Sequence, residues 1–240
     1  MVGFFSFISK MELINLINLF NTEFPAGSVT DTEKKQWFND ACLDMVRKTY
    51  CLKTYALWSA VADQRGYVID TVAPNFLLVD PDEGVLWQDS ADDWHRLEAT
   101  NQNWLDENLG SSWRNSDNTG DPTRYYLYVH PTSGLMIGFD PITDTSDTDV
   151  LRMTYIMKPN ILSTNTDVPF SLNSTLSTYH PLIVAYGLWK AKQKRGKFSQ
   201  AEIFKNEYLT GLVLMRQEVK ENPDFRPGWK PDSDYFSWHA

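Results

Sequence analysis

The stretch from Trp113 to Tyr155 constrains the fold more than any other part of the chain. It follows the pattern W…G-x-P-x-x-Y…L-x-I-x-F-x-P…L-x-M-x-Y, carried by Trp113, Gly120, Pro122, Tyr125, Leu135, Ile137, Phe139, Pro141, Leu151, Met153 and Tyr155. Gly120 and Pro122 break the chain just before Tyr125-Tyr126-Leu127-Tyr128-Val129, a run of strand formers. Leu135, Ile137 and Phe139 alternate with period two, as do Leu151, Met153 and Tyr155. The spacing predicts three short antiparallel strands in succession. Trp113, Pro122 and Tyr125 are expected to be structural, with Tyr125 packed on the sheet.

Helical patterns lie on both sides of this stretch. Leu13, Leu16, Ile17 and Phe20 fall on one helical face, which Pro25 and Gly27 end. Thr30-Asp31-Thr32-Glu33 reads as a capping box, and a second helix runs from it to about Thr49 with the stripe Trp37, Phe38, Ala41, Cys42, Met45 and Val46. Late in the chain, Leu182, Ala185, Tyr186, Trp189 and Ala191 mark one helix, with Pro181 near its start and Gly196 at its end. Ala201, Phe204, Tyr208, Leu212 and Met215 mark another. The polar connector Asn160 to Val168 precedes this pair.

The region between reads mostly as strand. Thr54 to Ala62 fits either a helix or a strand. The strand is preferred, because Asp63-Gln64-Arg65-Gly66 resembles a turn into Tyr67-Val68-Ile69. Phe76 to Val79 is a further strand. Asp89 to Leu97 is polar and reads as a short helix or loop, and Asp144, Asp147 and Asp149 read as a solvated loop. The fold class is therefore α+β. Residues 1–51 and 170–222 form a helical domain, residues 52–169 an inserted antiparallel β domain, and residues 223–240 an extended C-terminal tail.

The 240 residues carry a net charge of −9, with a pI of about 4.9, which argues against tight wrapping of nucleic acid. The nine tryptophans, thirteen phenylalanines and eleven tyrosines call for extensive β structure, a large interface, or both. Cys42 and Cys51 fit no zinc spacing, and Cys42 sits on an apolar stripe, so buried free thiols are expected. The apolar run Met1 to Ile8 lacks the flanks of a signal peptide and is too short to span a membrane. Met11, where the helical pattern begins, is an alternative start.

There is no P-loop, G-x-G-x-x-G, H-E-x-x-H or G-x-S-x-G, and the four histidines are scattered over different elements. Asn115 to Gly120 imitates the start of a calcium loop, but Tyr126 stands where the closing glutamate belongs. A turn held by Asn and Asp side chains is the expected role. No enzyme activity, cofactor or metal is expected.

The order of these elements resembles the head-to-tail adaptor (connector) proteins of tailed bacteriophages, especially the short-tailed type. The resemblance covers about residues 11–222 and rests on three stretches: Trp37-Phe38-Asn39-Asp40-Ala41; the central W…G-x-P-x-x-Y segment; and Leu182-Ile183-Val184-Ala185-Tyr186 with Ala201, Phe204 and Tyr208-Leu209-Thr210-Gly211-Leu212. The residues before Met11 depart from the usual start. The resemblance implies a structural protein of the virion neck, assembled in the host cytoplasm. It implies a homo-oligomeric ring of twelve subunits that binds the portal protein, extends the DNA channel and provides a platform for tail or nozzle proteins. DNA would pass without sequence-specific binding, and no membrane is involved.

Two surfaces stand out for such a role. Lys190, Lys192, Lys194, Arg195 and Lys197 form the only basic run; it reads as a solvated helix end or, multiplied by symmetry, as a positive ring facing DNA or an acidic partner. Phe225, Trp229, Tyr235, Phe236 and Trp238 crowd a tail whose Pro223, Pro227 and Pro231 forbid a continued helix. A disordered terminus is the default for such a segment. Its aromatics instead suggest anchors that dock on the portal. Two alternatives are a carbohydrate-binding or hydrolysing tail component, with tryptophans as sugar platforms, and another neck ring such as a stopper.

Overall fold

The structure, a computed structural model, describes residues 11–24 and 27–221. The apolar start, Pro25 and the tail anchors Phe225, Trp229, Tyr235, Phe236 and Trp238 lie outside the described residues. Within them the chain is a mixed α/β protein with six α-helices and two sheets whose pairing is antiparallel in all but one case. It divides into two compact units, one running to Leu52 and resuming at Lys158, the other spanning Lys53–Met157.

The first unit contains α1 (Leu13–Glu23), α2 (Asp31–Thr49), α5 (His180–Lys194) and α6 (Phe198–Glu221). All four apolar residues that mark α1 are buried. The Thr30 hydroxyl accepts from the Glu33 amide while the Glu33 carboxylate accepts from the Thr30 amide, which completes the expected capping box of α2. Helix α5 is central, packing on α1, α2 and α6. That position explains a departure from its predicted stripe. Ile183, Val184, Gly187, Leu188 and Ala191 are buried, while Leu182, Tyr186 and Trp189 are half-buried. A Cβ on Gly187 would lie 2.8 Å from Phe38 and 3.5 Å from Phe20, so that side of α5 meets α1 and α2. Leu182 packs against Gly211 of α6. A helix with neighbours on two sides needs two apolar stripes, and the stripe from Leu182 to Ala191 accounts for only one. The end of α5 closes as a Schellman turn: Gly196 has φ +69°, its amide donates to the Gln193 carbonyl, and the Lys197 amide donates to Lys192.

The second unit holds two sheets. One orders β1 (Lys53–Ala60), β9 (Asp147–Met157), β4 (Val85–Gln88) and β5 (Trp94–Arg96), with β3 (Phe76–Val79) also on β9. The other orders β2 (Gly66–Val68), β8 (Gly134–Asp140), β7 (Arg124–His130) and β6 (Glu98–Thr100). Thr54 to Ala60 is thus a strand, as preferred, and Phe76–Val79 is one too. Three expectations are corrected. The strands at Tyr125, Ile137 and Met153 do not form one succession, because β7 and β8 pair together while β9 joins the other sheet as its long central strand. The polar stretch Asp89 to Leu97 contains strand β5, hairpinned on β4 with Gln88 opposite Trp94; period two is hidden there because its outward residues are charged. Asp147 and Asp149 belong to β9 rather than to a loop, with Asp149 at φ +59° beside the register shift at Trp58/Ala60. In addition, Ile69 opens the short helix α3 (Ile69–Val72) instead of continuing β2.

The core of this unit joins both sheets. Trp58 and Trp87 flank Leu151 across three neighbouring strands, and Tyr67, Ile137 and Phe139 pack with them. Tyr125 belongs to this core, as expected, opposite Phe139 in the ladder. The adjacent Tyr126 points to the other face, into a small cluster with Trp113 and Leu105 of α4 (Gln102–Leu109). There Trp113 meets Tyr126 edge-on at 5.5 Å, and its indole N–H donates to Asp106 at 2.8 Å. The guanidinium groups of Arg65 and Arg114 lie 5.3 and 4.7 Å from the Trp113 ring. Asn118 ties the Asn115 to Gly120 turn to buried Asp140 through a 2.8 Å bond. The W…G-x-P-x-x-Y pattern is therefore a two-faced strand base with its own aromatic cluster.

Candidate functional site

The basic run sits at the C-terminal end of α5, and most of its charges are engaged within their own unit. Lys190 lies 4.2 Å from the Trp189 ring and 5.1 Å from Tyr186. Lys192 and Arg195 lie 5.3 and 4.5 Å from the Phe24 ring, and Lys192 donates to Gln200. Lys194 pairs with Glu33, whose carboxyl is held below its ordinary pKa first by that bond and then by the Thr30 amide. Lys194, Arg195 and Lys197 are exposed, while Lys190 and Lys192 are half-buried. The run thus fastens the ends of α1, α2 and α5 together while leaving a cationic corner in water.

The connector before α5 is more tightly built than its polar sequence suggests. Asn39 of α2 clamps it, its side chain accepting from the Leu162 amide at 2.7 Å and donating to the Leu162 carbonyl at 3.1 Å. Lys35 donates to the Ser163 carbonyl at 2.8 Å. The Asp167 carboxylate accepts the Thr164 hydroxyl, the Thr164 and Ser163 amides and the Ser163 hydroxyl, which together hold it well below the usual carboxylate range. The backbone carbonyls of Asp167 and Asn165 in turn accept from the Leu13 and Ile14 amides, capping a helix whose Glu12 N-cap supplies no side-chain bond. Buried His180 closes the array, accepting from the Met11 amide at Nδ1 and donating from Nε2 to the Pro169 carbonyl. Ile161 on this braced connector stands 78% exposed, and Leu172, in the turn that follows it, 66%.

Helix α6 also leaves apolar side chains in water. Ala201, Tyr208, Leu212 and Met215 are buried, whereas Ile203, Val213 and Leu214 are 65%, 58% and 57% exposed on the opposite side. Sequence reasoning missed these exposed apolar residues. The signal on α6 was available: the helix is apolar around more of its circumference than a one-sided packing face requires.

In the second unit an open cleft of about 330 Å³ is lined by Gly84, Arg96, Leu97, Glu98, Ala99 and Tyr125. Arg96 donates to the Pro81 carbonyl and Glu98 approaches Arg124 at 3.4 Å, so both charges at the cleft are occupied. Cys42 and Cys51 are free and buried, and burial pushes the Cys51 thiol up to about 12. Among the described residues no group of three or more His, Cys, Asp or Glu side chains is placed to hold a metal ion, and no helix is long and apolar enough to cross a membrane.

What the described surface offers is therefore scattered exposed apolar side chains on the connector and α6 and a cationic corner, with no assembled catalytic or metal-binding group among the described residues. No curated protein matches the chain. Residues 11–227 match the family model described as SU10 adaptor protein, which spans both structural units. The chain thus belongs to the SU10 adaptor protein family, in keeping with its resemblance to phage head-to-tail adaptors.

Proposed function

We propose that the protein is a virion neck component that assembles as a ring of twelve copies beneath the portal. The ring extends the DNA channel and offers tail proteins their attachment platform. The single observation that carries this reading is the family match over residues 11–227. The mechanism is assembly and requires no reaction. Exposed Lys194, Arg195 and Lys197 are the surface that would face DNA or an acidic partner, with symmetry multiplying a modest local charge. The C-terminal segment, with Phe225, Trp229, Tyr235, Phe236 and Trp238, supplies the portal anchors.

The carbohydrate reading loses support from the tryptophans. Trp58, Trp87 and Trp113 are buried and Trp37, Trp94, Trp104 and Trp189 half-buried, so no described tryptophan presents an open sugar platform.

Co-sedimentation with the portal protein tests the proposal. The full chain is expected to pellet with portal, and removal of residues 223–240 to weaken binding strongly, since several anchors of about 1–3 kcal/mol each leave together. Undiminished binding after truncation would assign the tail to another partner.

A further inference from the structure

We infer that the outer face and free edge of β1 bind an extended segment of a partner protein that presents one carboxylate between apolar side chains, with Arg152 as the carboxylate's ion-pair partner. The site lies in the second unit and does not depend on the ring reading. Trp58, Trp87 and Leu151 turn into the core, so Leu57, Leu86 and Arg152, their neighbours in sequence, stand on the opposite face of the sheet. Leu57 lies opposite Arg152, Arg152 opposite Leu86, and Leu86 opposite Arg96, in one row across β1, β9, β4 and β5. Tyr55 stands two residues from Leu57 on the same face, and each of the two is 42% exposed. A contiguous surface of tyrosine, leucine and arginine has the composition of an interface centre.

Arg152 identifies the occupant. Its guanidinium lies 5.0 Å from the Tyr55 ring, which carries it from β9 over β1. Its Nε is buried and donates to nothing among the described residues. A buried donor without an acceptor is costly, and a carboxylate matches a guanidinium with two parallel bonds. The chain's own carboxylates at this sheet are directed elsewhere: Glu83 binds Lys53 and the Thr154 hydroxyl, and Asp89 binds His95. Exposed Asp147 and Asp149 at the start of β9, with Asp92 and Asp93 at the tip of the β4–β5 hairpin, repel further negative charge at the margin. The face therefore selects a single carboxylate flanked by apolar residues over an acidic tract. The edge selects an extended backbone. Among the described residues β1 pairs with β9 alone, so its other side keeps backbone donors and acceptors for an added strand. Such a strand sets alternate side chains beside Tyr55 and Leu57, with its carboxylate directed to the guanidinium over Tyr55.

The test pans a library of random short peptides on the full-length protein and titrates the enriched peptides by fluorescence anisotropy. Enriched sequences are expected to carry a lone Asp or Glu with apolar residues two positions to either side. Arg152→Gln, and Leu57→Asp at an exposed position, should each weaken these peptides about tenfold or more. Exchanging the peptide's Asp or Glu for Asn or Gln should weaken binding to wild type equally, yet leave binding to Arg152→Gln unchanged, because both changes remove one ion pair. That non-additivity distinguishes pairing from a disturbed fold. Failure to enrich any peptide, enrichment without a carboxylate, additive losses, or binding indifferent to Leu57→Asp would each overturn the inference. Self-association of the full chain that Leu57→Asp abolishes would assign the face to a second copy and overturn it too.

Discussion

Tyr126 and Gly138 face each other across β7 and β8, and the glycine is there because the ring occupies the space a side chain would need. A Cβ on Gly138 would lie 2.7 Å from the Tyr126 ring edge and hydroxyl. Gly138→Ala should therefore cost about 1–3 kcal/mol, as overpacking does, read as a lower urea midpoint. On the opposite face Tyr125 packs in the joint core beside Ile137 and Phe139. Tyr125→Ala should cost about 2–4 kcal/mol, and a loss below about 0.5 kcal/mol would place that ring outside the core. The sequence pattern named Trp113 and Tyr125 as structural, and both are buried. It gave no hint of Arg65, whose guanidinium stacks on Trp113 from a distant turn, because a cation over a ring leaves no trace in local spacing. The same holds for Ile161 and Leu172, isolated apolar residues in a polar segment. Periodicity reports faces of regular elements, and a connector has none.

At the level of elements, caps and braces decide where helices begin. Thr30→Ala removes the acceptor for the Glu33 amide and should lower stability by about 0.5–2 kcal/mol, measured by thermal or urea unfolding. The start of α1 depends on the connector instead. Asp167 has its pKa lowered from the ordinary 3.8 by the hydroxyl and amide donors of Thr164 and Ser163. Its contribution to stability is therefore complete above that ordinary value and is lost as pH falls through the lowered one. Unfolding followed across this acid range should show an added loss of stability in wild type that is absent from Asp167→Ala. Identical pH profiles would show that the carboxylate does not brace the connector. Among the elements, α1 and α2 with its capping box were legible, because each has one buried face and clear end signals; β1 and β3 were legible as strands only, since the alternation Tyr55, Leu57, Ser59 and Val61 that suggests β1 is its outer face and Ala56, Trp58 and Ala60 are the buried one. Strand β5 and the parallel pairing of β6 with β7 were not: β5 is short with exposed charged residues, and pairing between distant segments is a tertiary choice. Helix α5 was found but its faces were only half read, since its second stripe answers to neighbours brought by the fold.

For the whole molecule, the order of elements and the family match carry the function, and no single catalytic motif does. The tail aromatics are legible in the sequence itself, whereas the exposure of apolar residues such as Ile161 and Ile203 is decided only by the fold. The central claim is that this chain forms a closed ring on the portal. Electron imaging of the full-length protein mixed with its portal protein tests it most directly. The account predicts an added ring, coaxial with the portal and of twelve-fold symmetry, whose central opening continues the portal channel. Portals that remain bare at saturating protein, or that carry scattered single copies without a ring, would contradict it.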